Sequence, residues 1–183
     1  MKRLFDILAS LAGLLALGWL IGLLVVLVRR DSHGPGIFAQ VRVGRHGQPF
    51  TCYKLRTMRQ GTANVATHEM SSSAVTSLGE SLRRYKLDEL PQLWNVLRGD
   101  MSFVGPRPCL PVQREVIEER EKRGVLALRP GITGLAQVSD IDMSTPVRLA
   151  EADAEYLATR SFVGDLVLIL RTVTGSGQGD RVR

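Results

Sequence analysis

The chain has 183 residues, of which 44% are hydrophobic and 23% charged, and its formal net charge is +6. This composition excludes a wholly disordered protein and is typical of one folded domain. Two cysteines cannot build a disulfide framework, and the sequence shows no cluster of cysteine and histidine that suggests zinc. Aromatic residues make up only 5%, so base-stacking platforms are not expected and a nucleic-acid binder is the least favoured class.

The chain begins with an apolar segment. Residues 7–28 contain no charged side chain, and a helix of this length measures about 33 Å, close to one hydrocarbon core. Lys2 and Arg3 precede the segment, and a second basic pair follows at 29–30. Because positive charges favour the cytoplasmic side, both ends favour the cytoplasm. Two interpretations stay open, a spanning helix and a re-entrant helix that turns near Gly18 and returns to the same face.

The next segment predicts a β-hairpin. Residues 37–43 are extended and rich in apolar side chains, 44–47 have the composition of a turn, and 49–56 alternate as a returning strand. Residues 59–76 are rich in Ser, Thr, Ala and Gly and predict a loop. We interpret His68 within this loop as a solvated surface residue.

Helical periodicity begins at residue 78. Leu78, Leu82 and Tyr85 recur at positions i, i+4 and i+7. A second helix must begin close to Asp88, because Pro91 is tolerated only in a first turn. The sequence therefore predicts two consecutive helices, the second with an acidic start.

The C-terminal half predicts three further helices. Stiff turns at 105–108 and 129–134 enclose a charged helix over 112–123 that we expect to be exposed. A Thr-Pro pair begins a helix over 146–159. Residues 162–173 are strongly apolar but too short to span a bilayer, so they would pack in the core or lie on the membrane interface.

These elements predict a mainly α fold with a small β-hairpin. An N-terminal membrane helix over residues 1–30, re-entrant or spanning, would precede a compact cytoplasmic α/β catalytic domain with interfacial helices over 31–174. Residues 175–183 would form a flexible tail.

The strongest chemical signal is a pair of adjacent carboxylates, Asp88 and Glu89, at a helix start. Alone, such a pair is typical of an N-cap and of a charge that complements the helix dipole. The many nearby basic residues instead favour a phosphate site, since carboxylates among cations can hold Mg²⁺ and an aspartate oxygen can attack phosphorus. The candidate phosphate-binding residues are Lys54, Arg56, Arg83, Arg107 and Arg129.

Five segments, in this order, resemble the bacterial sugar transferases, the small monotopic polyprenyl-phosphate phosphoglycosyl transferases. They extend over nearly the whole chain, and the stretch from 87 to 108 is the most specific. The segments are KRLFD at 2–6, YKLRTM at 53–58, LDELPQLWNV at 87–96, RGDMSFVGPRP at 98–108 and RPGITG at 129–134.

The resemblance implies a reaction. A UDP-sugar would donate its phosphosugar to polyprenyl phosphate, usually undecaprenyl phosphate, with release of UMP. The family proceeds through a covalent intermediate, which implies that Asp88 is the nucleophile and that Glu89 binds Mg²⁺. It also implies contact with membrane lipid at the bacterial inner membrane, with the catalytic domain on the cytoplasmic face. The sequence leaves a homodimer open.

One feature departs from the family pattern. Relatives commonly break the membrane helix with a Ser-Pro pair, whereas this chain has Gly18 and Trp19 at that place. The family implies a re-entrant helix, but glycine permits a bend without enforcing it as proline does.

Two other functions remain compatible with the residues. A membrane-anchored phosphatase would use the same aspartyl chemistry with water as acceptor, and a non-enzymatic scaffold would bind anionic lipid through its basic surface. The sequence does not identify the sugar, and we expect its determinants in the segments 59–76 or 138–148.

Overall fold

The computed structural model describes residues 1–61 and 74–175. Most of the predicted loop, including His68, and the predicted tail beyond residue 175 lie outside the described residues. Within the described part the fold is mainly helical, as predicted, and contains two small sheets.

Helix α1 (Lys2–Asp31) contains the whole apolar segment and is helical through Gly18 and Trp19. It is the one described helix that is long and apolar enough to cross a membrane. At 30 residues it is about 45 Å long. One face packs on the rest of the protein, while the opposite face leaves large apolar side chains exposed, among them Leu8, Leu15 and Trp19.

The predicted hairpin is confirmed. Strand β1 (Ile37–Val43) pairs antiparallel with β2 (Pro49–Leu55), with Ile37 opposite Leu55. A short 3-10 turn joins the strands, and its residue His46 adopts the left-handed conformation with φ 57°. Leu55 packs with Leu24 and Val28 of α1, so the end of the hairpin anchors the C-terminal part of the apolar helix.

Two helices and a tight turn follow. Helix α2 (Ser77–Arg84) is capped by Thr76, whose hydroxyl accepts a hydrogen bond from the Gly79 N–H at 3.0 Å. Helix α3 (Gln92–Arg98) begins later than the sequence predicts, because the residues around Asp88 form a separate 3-10 turn.

The second sheet was not predicted. Strand β3 (Ser102–Val104) runs parallel to β4 (Gly131–Thr133), within segments that the sequence indicates only as stiff turns. Three-residue strands carry too little periodicity to be recognised. The short helix α5 (Leu135–Val138) escaped prediction for the same reason.

The last three long helices agree with the prediction in position. They are α4 (Arg114–Lys122), α6 (Pro146–Thr159) and α7 (Phe162–Val173). Helix α4 is exposed on one side as expected, but Val116 and Arg120 on its other side are buried against α6.

Helix α7 buries one narrow side and exposes the other. Leu168 packs in a cluster with Tyr156 of α6. The opposite side carries exposed apolar residues, namely Val163, Leu166, Val167, Leu170 and Val173.

Candidate active site

The site centres on Asp88, which lies in the 3-10 turn Leu87–Glu89 between α2 and α3. Lys86 precedes this turn in the left-handed conformation with φ 55°, which ends α2 and reverses the chain. The side chain of Asp88 is buried, and the whole residue is only 8% exposed.

Burial, followed by the charge of the neighbouring Glu89, raises the pKa of Asp88 to about 6. Lys54, Arg83 and Arg107 act in the opposite direction, because their positive charges favour the carboxylate. A carboxylate with this pKa is ionised at pH 7 and above but is poorly hydrated. Such a group is suited to nucleophilic attack.

Glu89 forms the other half of the acidic pair and bridges two basic side chains. Lys54 Nζ lies 2.8 Å from Glu89 Oε1, and Arg107 Nη2 lies 3.3 Å from the same oxygen. Lys54 comes from β2 and Arg107 from the segment after β3. Three distant parts of the sequence therefore meet at one carboxylate.

Arg83 reaches the site from the last turn of α2. Its Nε donates a hydrogen bond to the Thr57 hydroxyl at 2.9 Å. This bond orients the guanidinium, whose charge acts on Asp88. The role of Thr57 was not predicted, since only the packing of α2 on the chain after β2 brings it to Arg83.

Two predicted phosphate contacts are placed elsewhere. Arg56 binds the end of α1, donating to the carbonyl oxygens of Ser32 at 2.5 Å and His33 at 2.6 Å. Arg129 donates through Nε to the Gly99 carbonyl at 2.9 Å, on the side of α3 that faces the start of α1. The structure therefore brings Lys54, Arg83 and Arg107 to the acidic pair but not Arg56 or Arg129.

Lys86 is a neighbour of the site that the prediction omitted. Its Nζ donates to the Thr172 carbonyl in α7 at 3.4 Å. Burial is the main cause that lowers the pKa of Lys86, while Glu89 and Asp140 oppose this shift. The apolar helix α7 and the segment around Asp140 thus lie next to the acidic pair.

Comparison with known proteins identifies the family. Residues 1–178 match the family described as bacterial sugar transferase. The chain belongs to this family.

Several curated relatives of this sugar transferase match 94% of its length. The UDP-glucose:undecaprenyl-phosphate glucose-1-phosphate transferase of Caulobacter vibrioides is 40% identical over 182 residues, which make up 68% of that protein. An uncharacterized sugar transferase of Bacillus subtilis, EpsL, is 39% identical, and the match spans 85% of its length. The undecaprenyl-phosphate galactose phosphotransferase of Salmonella typhimurium is 35% identical, and there the match covers 39% of the longer chain.

The acidic pair of this sugar transferase fits a shared magnesium ion rather than a closed metal cage. Among residues 1–61 and 74–175, no group of three or more His, Cys, Asp or Glu side chains could hold a metal ion. Mg²⁺ typically takes one or two protein carboxylates and completes its shell with water and substrate phosphate. The carboxylate of Glu89, with Asp88 beside it, is a donor of this kind.

Proposed function

We propose that this sugar transferase moves a phosphosugar from a UDP-sugar to undecaprenyl phosphate and releases UMP. The observation that carries the proposal is the buried Asp88 beside Glu89, whose carboxylate contacts Lys54 and Arg107. The names of relatives support the substrates, since the Caulobacter vibrioides and Salmonella typhimurium proteins are both named for transfer to undecaprenyl phosphate.

Asp88 acts as the nucleophile. A carboxylate oxygen of Asp88 attacks the phosphorus that bears the sugar, and the bond from this phosphorus to the bridging oxygen breaks. UMP leaves with the bonding electrons. An oxygen of the lipid phosphate then attacks the same phosphorus, which forms the lipid diphosphate sugar and frees the Asp88 carboxylate.

The three cations bind and orient the donor. Lys54 and Arg107 lie on the Glu89 side of Asp88, and Arg83 is fixed by Thr57. Their charges offset the repulsion between the Asp88 carboxylate and an anionic diphosphate. Placement and charge stabilisation supply most of the rate gain in phosphoryl transfer.

Glu89 would hold Mg²⁺. When bound, the ion neutralises charge on the diphosphate and on the departing phosphate. Lys54 and Arg107 restrict where the Glu89 carboxylate can lie, because both contact its Oε1. The acidic side chain is therefore oriented before substrate arrives.

Both ends of α1 lie on the cytoplasmic face of the inner membrane in this proposal. Near its start, Lys2 contacts Asp165 of α7 at 2.5 Å and Arg3 donates to the Val96 carbonyl of α3 at 2.6 Å. Near its end, Arg56 donates to the Val28 carbonyl. Contacts from the rest of the protein to both ends favour ends on the same side of a bilayer core of about 30 Å. These contacts support a helix that enters the membrane without crossing it.

Helix α7 provides a second contact with lipid. Helices α7 and α1 meet where Phe162 packs edge-on against Phe5, with ring centroids 5.5 Å apart. Each of the two helices also has an exposed apolar side. The contact of Lys86 with Thr172 joins α7 to the active-site turn. The lipid acceptor could therefore approach Asp88 without its tail leaving the bilayer.

The test uses purified protein, undecaprenyl phosphate and a panel of UDP-sugars, with UMP release and lipid product recorded. Asp88→Asn should abolish UMP release even without acceptor lipid, whereas the exposed Asp31→Asn should behave as the unmodified protein. Radiolabelled donor should leave a phosphosugar on Asp88 when acceptor is withheld. Full activity of Asp88→Asn would refute the covalent role, and free sugar phosphate as the main product would indicate a phosphatase.

A further inference from the structure

The segment that carries Arg107 is held at every main-chain carbonyl. Pro106 and Pro108 have no N–H, so hydrogen bonds can fix this segment mainly through its carbonyl oxygens. Two of them accept from backbone groups: the Gly131 N–H donates to Pro106 and the Val43 N–H donates to Cys109, each at 2.9 Å.

The two remaining carbonyls accept from arginine side chains. Arg120 Nη1 donates to the Arg107 carbonyl at 2.8 Å, and Arg42 Nη1 donates to the Pro108 carbonyl at 2.9 Å. Donors from β1, β4 and α4 thus bind the four consecutive carbonyls of residues 106–109. Neither arginine belongs to the site that the sequence predicts.

Arg120 is itself fixed by a buried ion pair. Its Nε donates to Asp153 Oδ2 of α6 at 2.9 Å, and its Nη2 lies 2.7 Å from the same oxygen. The side chains of Arg120 and Asp153 are 3% and 2% exposed. The ion pair therefore orients the guanidinium toward the Arg107 carbonyl.

A buried ion pair of this kind is a poor device for stability alone. Burying two charges costs desolvation free energy, and packed apolar residues of similar size are often as stable or more stable. Helices α4 and α6 also share the apolar core of Val116, Leu149 and Ala152. A role other than stability is therefore expected for the pair, and the Arg107 carbonyl is the group that Arg120 binds.

We propose that Arg120, fixed by Asp153, and Arg42 are positioning residues for Arg107. They hold the main chain so that the Arg107 guanidinium lies beside Glu89 and meets the diphosphate of the donor. The inference rests on the proposed function, in which Arg107 binds that diphosphate. Neither Arg120 nor Arg42 touches substrate in this account.

The test measures UDP binding to the full-length protein by calorimetry, because UDP carries the diphosphate and needs no turnover. The variant Arg120→Met with Asp153→Leu removes both buried charges together and leaves no unpaired ion. We expect its dissociation constant for UDP to rise about tenfold, since a misplaced binding group loses much of its effect. Its unfolding temperature should stay at or above that of the unmodified protein. Arg123→Met is the matched control just after α4, since Arg123 pairs with Glu119 and Glu151 and not with the segment of Arg107, and it should leave the dissociation constant for UDP unchanged.

A second background separates positioning from general damage. In Arg107→Met, adding the same double substitution should not weaken UDP binding further, because the group to be positioned is gone. Arg42→Met is an independent variant should the double variant not fold. It should weaken UDP binding in the unmodified protein and cause no further loss in Arg107→Met. Unchanged UDP binding in a folded variant, or an equal loss with and without Arg107, would overturn the inference.

The two proposals fail in different ways. UMP release by the unmodified protein reports on the proposed function, whereas the UDP dissociation constants report on positioning. Coupled effects on UDP binding without UMP release from any UDP-sugar would support positioning and contradict the transferase reaction. Normal UMP release, together with an equal loss of UDP affinity with and without Arg107, would support the transferase reaction and contradict positioning.

Discussion

Arg56 donates a hydrogen bond through Nη2 to the carbonyl oxygen of Val28 at 3.2 Å. The same guanidinium also donates to the carbonyl oxygens of Ser32 and His33, which directly follow α1. The residue after β2 therefore binds the C-terminal end of this helix. The Val28 carbonyl also accepts from the Ser32 N–H at 3.3 Å, so Arg56 adds a second donor there and donates to the two carbonyls that follow the helix. The basic domain thus caps the apolar helix directly.

Arg56→Met should lower stability and leave donor binding intact. The substitution removes the charged donor from the Ser32 and His33 carbonyls and one of two donors from Val28, for which we expect a loss of about 1–3 kcal/mol of unfolding free energy. Denaturant unfolding in detergent measures this, with the exposed Arg30→Met as control. A weaker affinity for UDP at unchanged stability would instead show that Arg56 contacts phosphate.

Asp88→Asn should stabilise the metal-free protein while removing activity. Folding raises the pKa of Asp88 from its ordinary value of 3.8 to about 6, so the folded protein binds the proton more tightly than the unfolded chain does. Ionisation of Asp88 therefore lowers the free energy of unfolding as pH rises from about 4 to about 6. The loss remains at every pH above this range. Asparagine removes this penalty, which amounts to at most about 3 kcal/mol.

Thermal unfolding in a chelator across this pH range checks the sign. The stability advantage of Asp88→Asn should be full at pH 8 and vanish below about pH 4. An advantage that is independent of pH would mean that the charge of Asp88 is not its cause.

Glu89→Gln should raise the Mg²⁺ concentration needed for half-maximal activity by about tenfold or more, since a neutral amide is a weaker ligand. It should also lower the pKa of Asp88, because the charge of Glu89 raises it. Magnesium titrations of UMP release, with the exposed Glu118→Gln as control, measure the first effect. The same metal dependence in both variants would exclude Glu89 as a ligand.

Gly79→Ala should destabilise the site, although alanine normally favours helices. A Cβ at Gly79 would lie 2.1 Å from the Thr57 carbonyl oxygen, so α2 must move away from the segment that orients Arg83. We expect a cost of about 1–3 kcal/mol and a weaker affinity for UDP. Gly18→Ala is the control, because a Cβ there meets nothing within 4 Å. Equal behaviour of the two variants would show that α2 does not need this close approach.

The local sequence determined the long helices, the hairpin and the acidic pair. Their signals lie within a few residues of one another, as in the periodic apolar positions of α2 or the proline near the start of α3. Family membership could also be predicted, because the motif from 87 to 108 is contiguous. The match of residues 1–178 confirms it.

Only the tertiary structure decided which basic side chains meet the carboxylates. Lys54 and Arg56 have the spacing of side chains on one face of a strand, yet β2 ends at Leu55 and the two diverge, one to Glu89 and the other to α1. Arg120 looked like an ordinary charge on a polar helix, and nothing nearby in the sequence indicates Asp153. Burial and ion pairing between residues far apart in the chain depend on how helices pack, and a pattern read along one segment carries no information about that packing.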